Sequence, residues 1–245
     1  MSVFQVSTVG EFLRQNWGYL LGFVLMFAVV GVTLRMLADA RTHSEKILDK
    51  LLVSDVDLYL QRLKDNRRLR WVFRKSIIEF MMLKGYIVKG DDDSALRCIE
   101  NLDKMKLEPQ EKLEFLETRL SFFAERNCAR QAVASRDMLV DFLKKHKADK
   151  TKKYREIIDE ADVIIKVYVE KDVDFIDSLR QKASVTAHPV VRGITQYRIA
   201  RLAYLKGDKQ LTERYLSRAA KNLKGTSLEG QIDSALRDNS VLANQ

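Results

Sequence analysis

Apolar residues recur at three- and four-residue intervals along almost the whole chain. Nowhere do they alternate over a short run bounded by turn residues. Ile47, Leu48, Leu51, Leu52 and Val56 share one helical face, and so do Ile157, Ile158, Ala161, Ile164, Ile165 and Tyr168. A period near 3.6 residues predicts amphipathic helices packed on one another, an all-α chain. The pattern places helices at 43–64, 69–88, 93–105, 109–125, 129–146, 151–169, 173–184, 189–205, 209–223 and 228–238, with a frayed tail over 240–245.

One stretch departs from this pattern. Between Arg14 and Arg35 stand twenty residues without a charge. At about 1.5 Å per residue they span about 30 Å, the thickness of a bilayer's hydrocarbon core. Trp17 and Tyr19 lie at one end, where aromatic rings favour the headgroup level. Gly18 and Gly22 are four residues apart, a spacing that lets two membrane helices approach closely in a homodimer. A buried core helix is one competing account, but such helices are rarely apolar all round for this length. A cleaved signal peptide is another, since Ala38-Asp39-Ala40 has the form of a cleavage site. Against it, only Glu11 and Arg14 are charged ahead of the run, the run is longer than usual, and Arg35 interrupts the approach to the site. The expectation is therefore a single N-terminal transmembrane helix over 15–38 behind a short tail of residues 1–14, with the lipid bilayer as a partner. Arg35, Arg41, Lys46 and Lys50 outnumber Arg14, which points the large C-terminal part to the cytoplasm.

Beyond a juxtamembrane helical segment at 39–68, the helices group in pairs. Gly90 and Gly207 each end a helical run and are each followed by Asp. Glycine supplies the left-handed backbone after a helix end, and Asp caps the next helix. Asn127-Cys128 and Lys171-Asp172 occupy equivalent places, giving intervals of 37, 44 and 36 residues. A near-regular period of this size indicates stacked antiparallel helical hairpins. Here the chain resembles the tetratricopeptide-repeat family. In the last hairpin Ala200, the Gly207-Asp208 turn, Leu216 and Ala219 match the motif, whereas Thr212 departs from its usual alanine. In the first, Tyr86, Gly90, Ala95, Ile99 and Leu102 are compatible, and Pro109 stands near the motif's terminal proline. The middle repeats are degenerate. The resemblance implies a repeat domain over 69–225, sealed by a capping helix and tail at 226–245. A generic helical bundle is the plainer alternative.

Composition sharpens this picture. Ten Gly and two Pro in 245 residues are too few for an all-β sandwich, a collagen-like chain or a Pro-rich disordered one. The net charge of +9 favours anionic partners. Two segments concentrate it. Residues 62–75 carry Arg62, Lys64, Arg67, Arg68, Arg70, Arg74 and Lys75 around Trp71, and residues 144–153 hold six lysines. Read as a helix, the first segment aligns Arg67, Arg70 and Arg74 beside Trp71, a stripe suited to anionic lipid or an acidic partner near the membrane. The second reads as a solvated loop. No base-stacking or groove-reading motif accompanies either segment, so nucleic acid is not the expected partner.

No arrangement supports catalysis. Cys98 and Cys128 form no C-x-x-C; either a disulfide or two free thiols fits their number, and free thiols are commoner in helical cores. His43, His146 and His188 are not paired at helical spacing, and Asp91-Asp92-Asp93 reads as a helix start rather than a metal loop. No enzyme activity, metal or cofactor is expected. The resemblance to tetratricopeptide proteins implies a membrane-anchored adaptor that holds a protein or peptide partner in a concave groove. Phe80 and Lys84 occupy positions where chaperone-binding members carry Lys and Asn, which disfavours that subtype. A second resemblance gives an alternative. Phe12-Leu13-Arg14-Gln15-Asn16 leading into Gly18-Tyr19-Leu20-Leu21-Gly22 is similar to the ancillary subunit of the bacterial Sec translocon. That family exposes its repeats to the periplasm and acts as a chaperone-like accessory of secreted chains.

Overall fold

The first helix is a single rod from the apolar run into the folded body. The computed structural model describes residues 6–146, 152–226 and 228–244, with the side chains of 6–25, 28 and 244 outside the description. Every regular element among the described residues is helical. Helix α1 (Val6–Ser54) contains both the expected anchor and the start of the helix placed at 43–64. It stops one residue before Asp55, whose Oδ1 accepts from the Leu58 N–H at 2.9 Å and caps α2 (Val56–Asp65). The helix expected at 43–64 is thus two helices.

The helix expected at 69–88 is also two. Leu69 and Phe73 are buried four residues apart and pin the single turn α3 (Leu69–Val72) to the body. Phe73 and Arg74 are extended (ψ 142° and 156°), so α4 (Lys75–Lys89) starts afresh. Three antiparallel pairs follow, α4 with α5 (Asp92–Lys104), α6 (Pro109–Glu125) with α7 (Ala129–Lys145), and α10 (Pro189–Leu205) with α11 (Lys209–Leu223); between the last two, α8 (Lys152–Ile164) packs on α6 and α7, and α9 (Ile176–Val185) packs on α10. Helix α8 passes into a π-helical turn (Ile165–Val169), and a 3-10 turn (Val173–Phe175) leads into α9. The last pair has the most extensive interface. Helix α12 (Glu229–Arg237) packs on α11, and α13 (Val241–Asn244) packs on α10. Residues 241–244 are therefore helical rather than frayed, because Leu242 is fully buried.

One backbone device recurs at the turn of each of the three pairs and between α8 and α9. Gly90, Asn127, Lys171 and Gly207 have φ of 76°, 55°, 54° and 82°. At Gly90 the next N–H, of Asp91, reaches back to the Tyr86 carbonyl at 3.0 Å; Cys128 reaches Phe123 at 2.9 Å and Asp208 reaches Ala203 at 2.9 Å. These bonds satisfy carbonyls that a helix end leaves open. At Lys171 the bond runs one residue further, from Asp172 to Lys166 at 3.0 Å, because the π-helical turn accommodates an extra residue. Asp91, Asp172 and Asp208 then cap the following segment through their side chains.

Side-chain register repeats relative to this residue. Positions five, eight and twelve beyond it are Ala95, Cys98 and Leu102; Ala132, Ser135 and Leu139; Ile176, Leu179 and Ala183; and Thr212, Tyr215 and Ala219, and all twelve are buried. Seven before it stand Leu83, Leu120, Ile164 and Ala200, also buried. Each helix after the turn thus buries the same stripe, and α9 does so with α10 as its main neighbour. Ion pairs bridge neighbouring elements: Lys89 with Asp57 (2.6 Å), Arg119 with Asp103 (2.8 Å), Arg126 with Asp92 (2.7 Å) and Arg136 with Asp162 (2.7 Å).

Candidate partner-binding groove

Helices α1, α4 and α6 run in one general direction. Their earlier residues Arg41 and Glu45, Ser76 and Ile77, and Glu108 and Glu111 line one small cavity. Their later residues Leu52 and Val53, Val88 and Lys89, and Ser121 and Glu125 line a groove of about 1190 Å³ at the opposite end. The far wall of this groove is α12 with Leu228 and Val241, so the C-terminal helices both end the stack and border the groove.

The groove mixes apolar and polar surface in about equal parts, with an acidic excess. Leu52, Val53, Val88, Phe122, Leu228 and Val241 supply its apolar surface. Its two cations are already paired, Lys89 to Asp57 and Arg126 to Asp92. Glu117, Glu125, Glu229 and Asp233 add four more carboxylates, of which Glu125 shares Arg126 at 3.6 Å and Glu229 accepts from the Gly225 N–H, in a chain whose net charge is +9. Glu117 and Glu125 lie with Ser121 on one face of α6, four residues apart. Burial raises the Glu125 carboxyl above its usual range, against the opposing pull of Arg126, Arg198 and Arg201. Burial also raises Glu117, and the carboxylates of Glu114 and Glu160 add to it. A cation brought into the groove would relieve both.

Behind this face lies a layer of arginines. Arg198 on α10 donates to Glu160 on α8, which also accepts from Lys182 of α9 at 2.6 Å. Burial favours a neutral Glu160, but Arg198 and Lys182 outweigh it and hold the carboxyl below its usual range. Arg201, three residues on, is fully buried over the Tyr168 ring, 4.8 Å from its centroid. None of its side-chain nitrogens has a hydrogen-bond partner among the described residues.

The basic stripe read from the sequence is not formed. The break at Phe73 separates Arg74 from Arg67 and Arg70, and Arg74 pairs with Glu108 at 2.8 Å. Asn66 Oδ1 accepts from the Arg68 N–H at 3.0 Å and starts a tight turn instead of a helix. Arg67, Arg68, Arg70 and Trp71 project from this turn and α3, with Trp71 86% exposed. Of the second basic segment, Lys144 and Lys145 end α7, and residues 147–151 lie outside the described residues.

The other residues singled out from the sequence are distributed along the stack. Ala95, Ala200 and Ala219 are fully buried at helix–helix contacts, and Gly90 and Gly207 are turn residues. Phe80 and Lys84 stack on each other at 4.5 Å beside the smaller cavity. Cys98 and Cys128 are both free, and burial pushes the Cys98 thiol up to about 12. The side chains of Trp17, Gly18, Tyr19 and Gly22 lie outside the described residues. Among the described residues no helix is long and apolar enough to cross a membrane, and no group of His, Cys, Asp and Glu could hold a metal ion.

Glu117, Glu125, Arg198 and Arg201 were not identified from the sequence. The available signal was spacing: Glu117 and Glu125 lie eight apart on one face of α6, and Arg198 and Arg201 fall among otherwise apolar core positions. No family model matches this chain, and neither a curated protein nor a solved structure matches it.

Proposed function

We infer that the chain is a non-enzymatic, membrane-anchored adaptor of the tetratricopeptide-like kind, which holds a protein segment in the groove between α6 and α12. The groove is the observation that carries this reading. Its mixed apolar and acidic lining suits an amphipathic segment with basic residues on its polar side. Two of its carboxyls are held above their usual range by burial, which is unfavourable for the protein alone and is relieved by a bound cation.

Helix α1 supports the membrane half of the reading. From Met26 to Leu37 its large apolar side chains are exposed on every face, including Phe27 (69%), Val29 (64%), Val32 (60%) and Leu34 (61%). No part of the folded body covers them, which argues against a buried core helix. A bilayer accommodates such a surface, and the same rod continues without a break into the hairpin domain. Tethering confines the groove to the membrane surface and raises the local concentration of partners held there. The positive flank after the run favours a cytoplasmic domain.

A photo-crosslinking residue at Ser121, in the full chain in its native membrane, tests the groove. The expected result is a discrete adduct with a basic segment of a second polypeptide. It is absent when the probe is moved to Arg130 on α7 and is lost when Glu117 and Glu125 are changed to Lys. Identical products from the two probe positions, unaffected by the charge reversal, would contradict the reading.

A further inference from the structure

Helix α1 serves as a ruler for the domain. The uncharged run ends at Leu34, and Arg41 lies about 10 Å further along the axis at the helical rise. The Arg41 guanidinium sits over the Phe73 ring, 5.7 Å from its centroid, and α3 packs against α1. The groove begins at Leu52 and Val53, about 18 Å beyond Arg41. The turn at 66–68 and α3 therefore occupy the end of the domain that faces the apolar stretch, and the groove occupies the other end.

The chemistry of that proximal tip is distinctive. Leu69 and Phe73 are buried and fix it to the body, while Trp71 between them is 86% exposed. An exposed tryptophan held by buried neighbours does not serve the core. Arg67, Arg68 and Arg70 stand beside it, all exposed, and none has an ion-pair partner among the described residues, in contrast to Arg74. An exposed tryptophan on an anchored turn, flanked by arginines without an ion pair among the described residues, matches the headgroup region of an anionic leaflet, where the indole sits at the interface and guanidinium groups meet phosphate. Interactions there reach about 8 Å through physiological salt, so cationic groups within about one helical turn of the surface are in range.

We propose that Trp71 with Arg67, Arg68 and Arg70 forms a second membrane contact, which docks on anionic phospholipid and holds the domain upright with its groove directed away from the bilayer. This rests on the reading of α1 as an anchor. An anchored helix alone leaves the domain free to swing; a second contact fixes its tilt.

The test uses the full chain with Trp17→Phe, so that Trp71 is its only tryptophan. The protein is reconstituted into vesicles whose acyl chains are brominated near the headgroup, either neutral or containing an anionic phospholipid. The expected result is flotation with both kinds of vesicle. In anionic vesicles alone, Trp71 emission shifts to the blue and is quenched. High salt reverses the quenching, and changing Arg67, Arg68 and Arg70 to Gln returns it to the level in neutral vesicles. Flotation with an unquenched, solvent-like Trp71 in anionic vesicles would overturn the proposal and leave the tip to an acidic protein. Failure to float with neutral vesicles would overturn the anchor, and the second contact with it.

Discussion

Gly193 on α10 lies so close to Leu223 on α11 that a methyl group built on it would come within 2.7 Å of the leucine Cγ. Its backbone is ordinary helix, so the glycine is needed for proximity. Gly193→Ala should cost about 1–3 kcal/mol through overpacking. Ala200→Leu, at a fully buried position of the same helix, should cost a similar amount. Gly230→Ala is the control, because its added methyl meets nothing within 4 Å. Thermal melts of the detergent-solubilised chain decide this. Equal melting of Gly193→Ala and Gly230→Ala would disprove the close contact.

The turn residues give a prediction of opposite sign at two equivalent sites. Gly207 and Lys171 both have left-handed backbone, and an L side chain there costs about 1–2 kcal/mol. A methyl on Gly207 meets no neighbour within 4 Å, so Gly207→Ala should destabilise through backbone strain alone. Lys171→Gly should raise the melting temperature by relieving that strain. A fall on Lys171→Gly would mean that its side chain contributes more than its backbone costs.

How far the sequence was legible follows from what each feature depends on. The hairpin turns at Gly90 and Gly207 could be read because glycine and a following aspartate are local chemistry. Asn127 gives a weaker local signal, since asparagine tolerates left-handed backbone, and Lys171 could be placed only by interval. The breaks at Asp55 and Phe73 could not be read: the first depends on a cap competing with a continuing helical pattern, and the second on a tertiary pin. Reading through the break at Phe73 produced a basic stripe that Arg74 leaves to pair with Glu108. The groove was hidden for a related reason, because it is assembled from helices over a hundred residues apart in the chain.

The arginine layer should respond unequally to substitution. Arg201→Met removes a buried guanidinium that has no hydrogen-bond partner among the described residues, and keeps an apolar side chain over Tyr168. It should be neutral or stabilising. Arg198→Met removes one of two cationic partners of the half-buried Glu160, which keeps Lys182, and should cost about 1.5–3 kcal/mol. Chemical denaturation of the two variants checks the difference, and a larger loss from Arg201→Met would contradict it.

Two half-buried carboxyls should give opposite pH signatures. Glu160 is held below its unfolded value, so its contribution is complete above about pH 4.3 and is lost as pH falls toward the folded value. Glu160→Gln should therefore flatten that part of the acid limb. Glu125 is held above its unfolded value, so its ionisation is unfavourable to the fold at neutral pH. Glu125→Gln should raise the melting temperature at pH 7, and the gain should vanish below about pH 4.3. The same change should weaken capture of a basic segment, a gain in stability at a loss of function. Melting temperatures of both variants across pH 3–8 test this, and matching profiles would refute it.

Attachment of the hairpin domain to a membrane through α1 is the claim on which the rest depends, and alkaline carbonate extraction tests it most directly. Membranes from cells making the full chain are washed with carbonate, alongside those from cells making a chain that begins at Asp39. The full chain should remain in the pellet, and the shortened one should appear in the supernatant as a folded, helical protein. Recovery of the full chain in the supernatant would contradict the account.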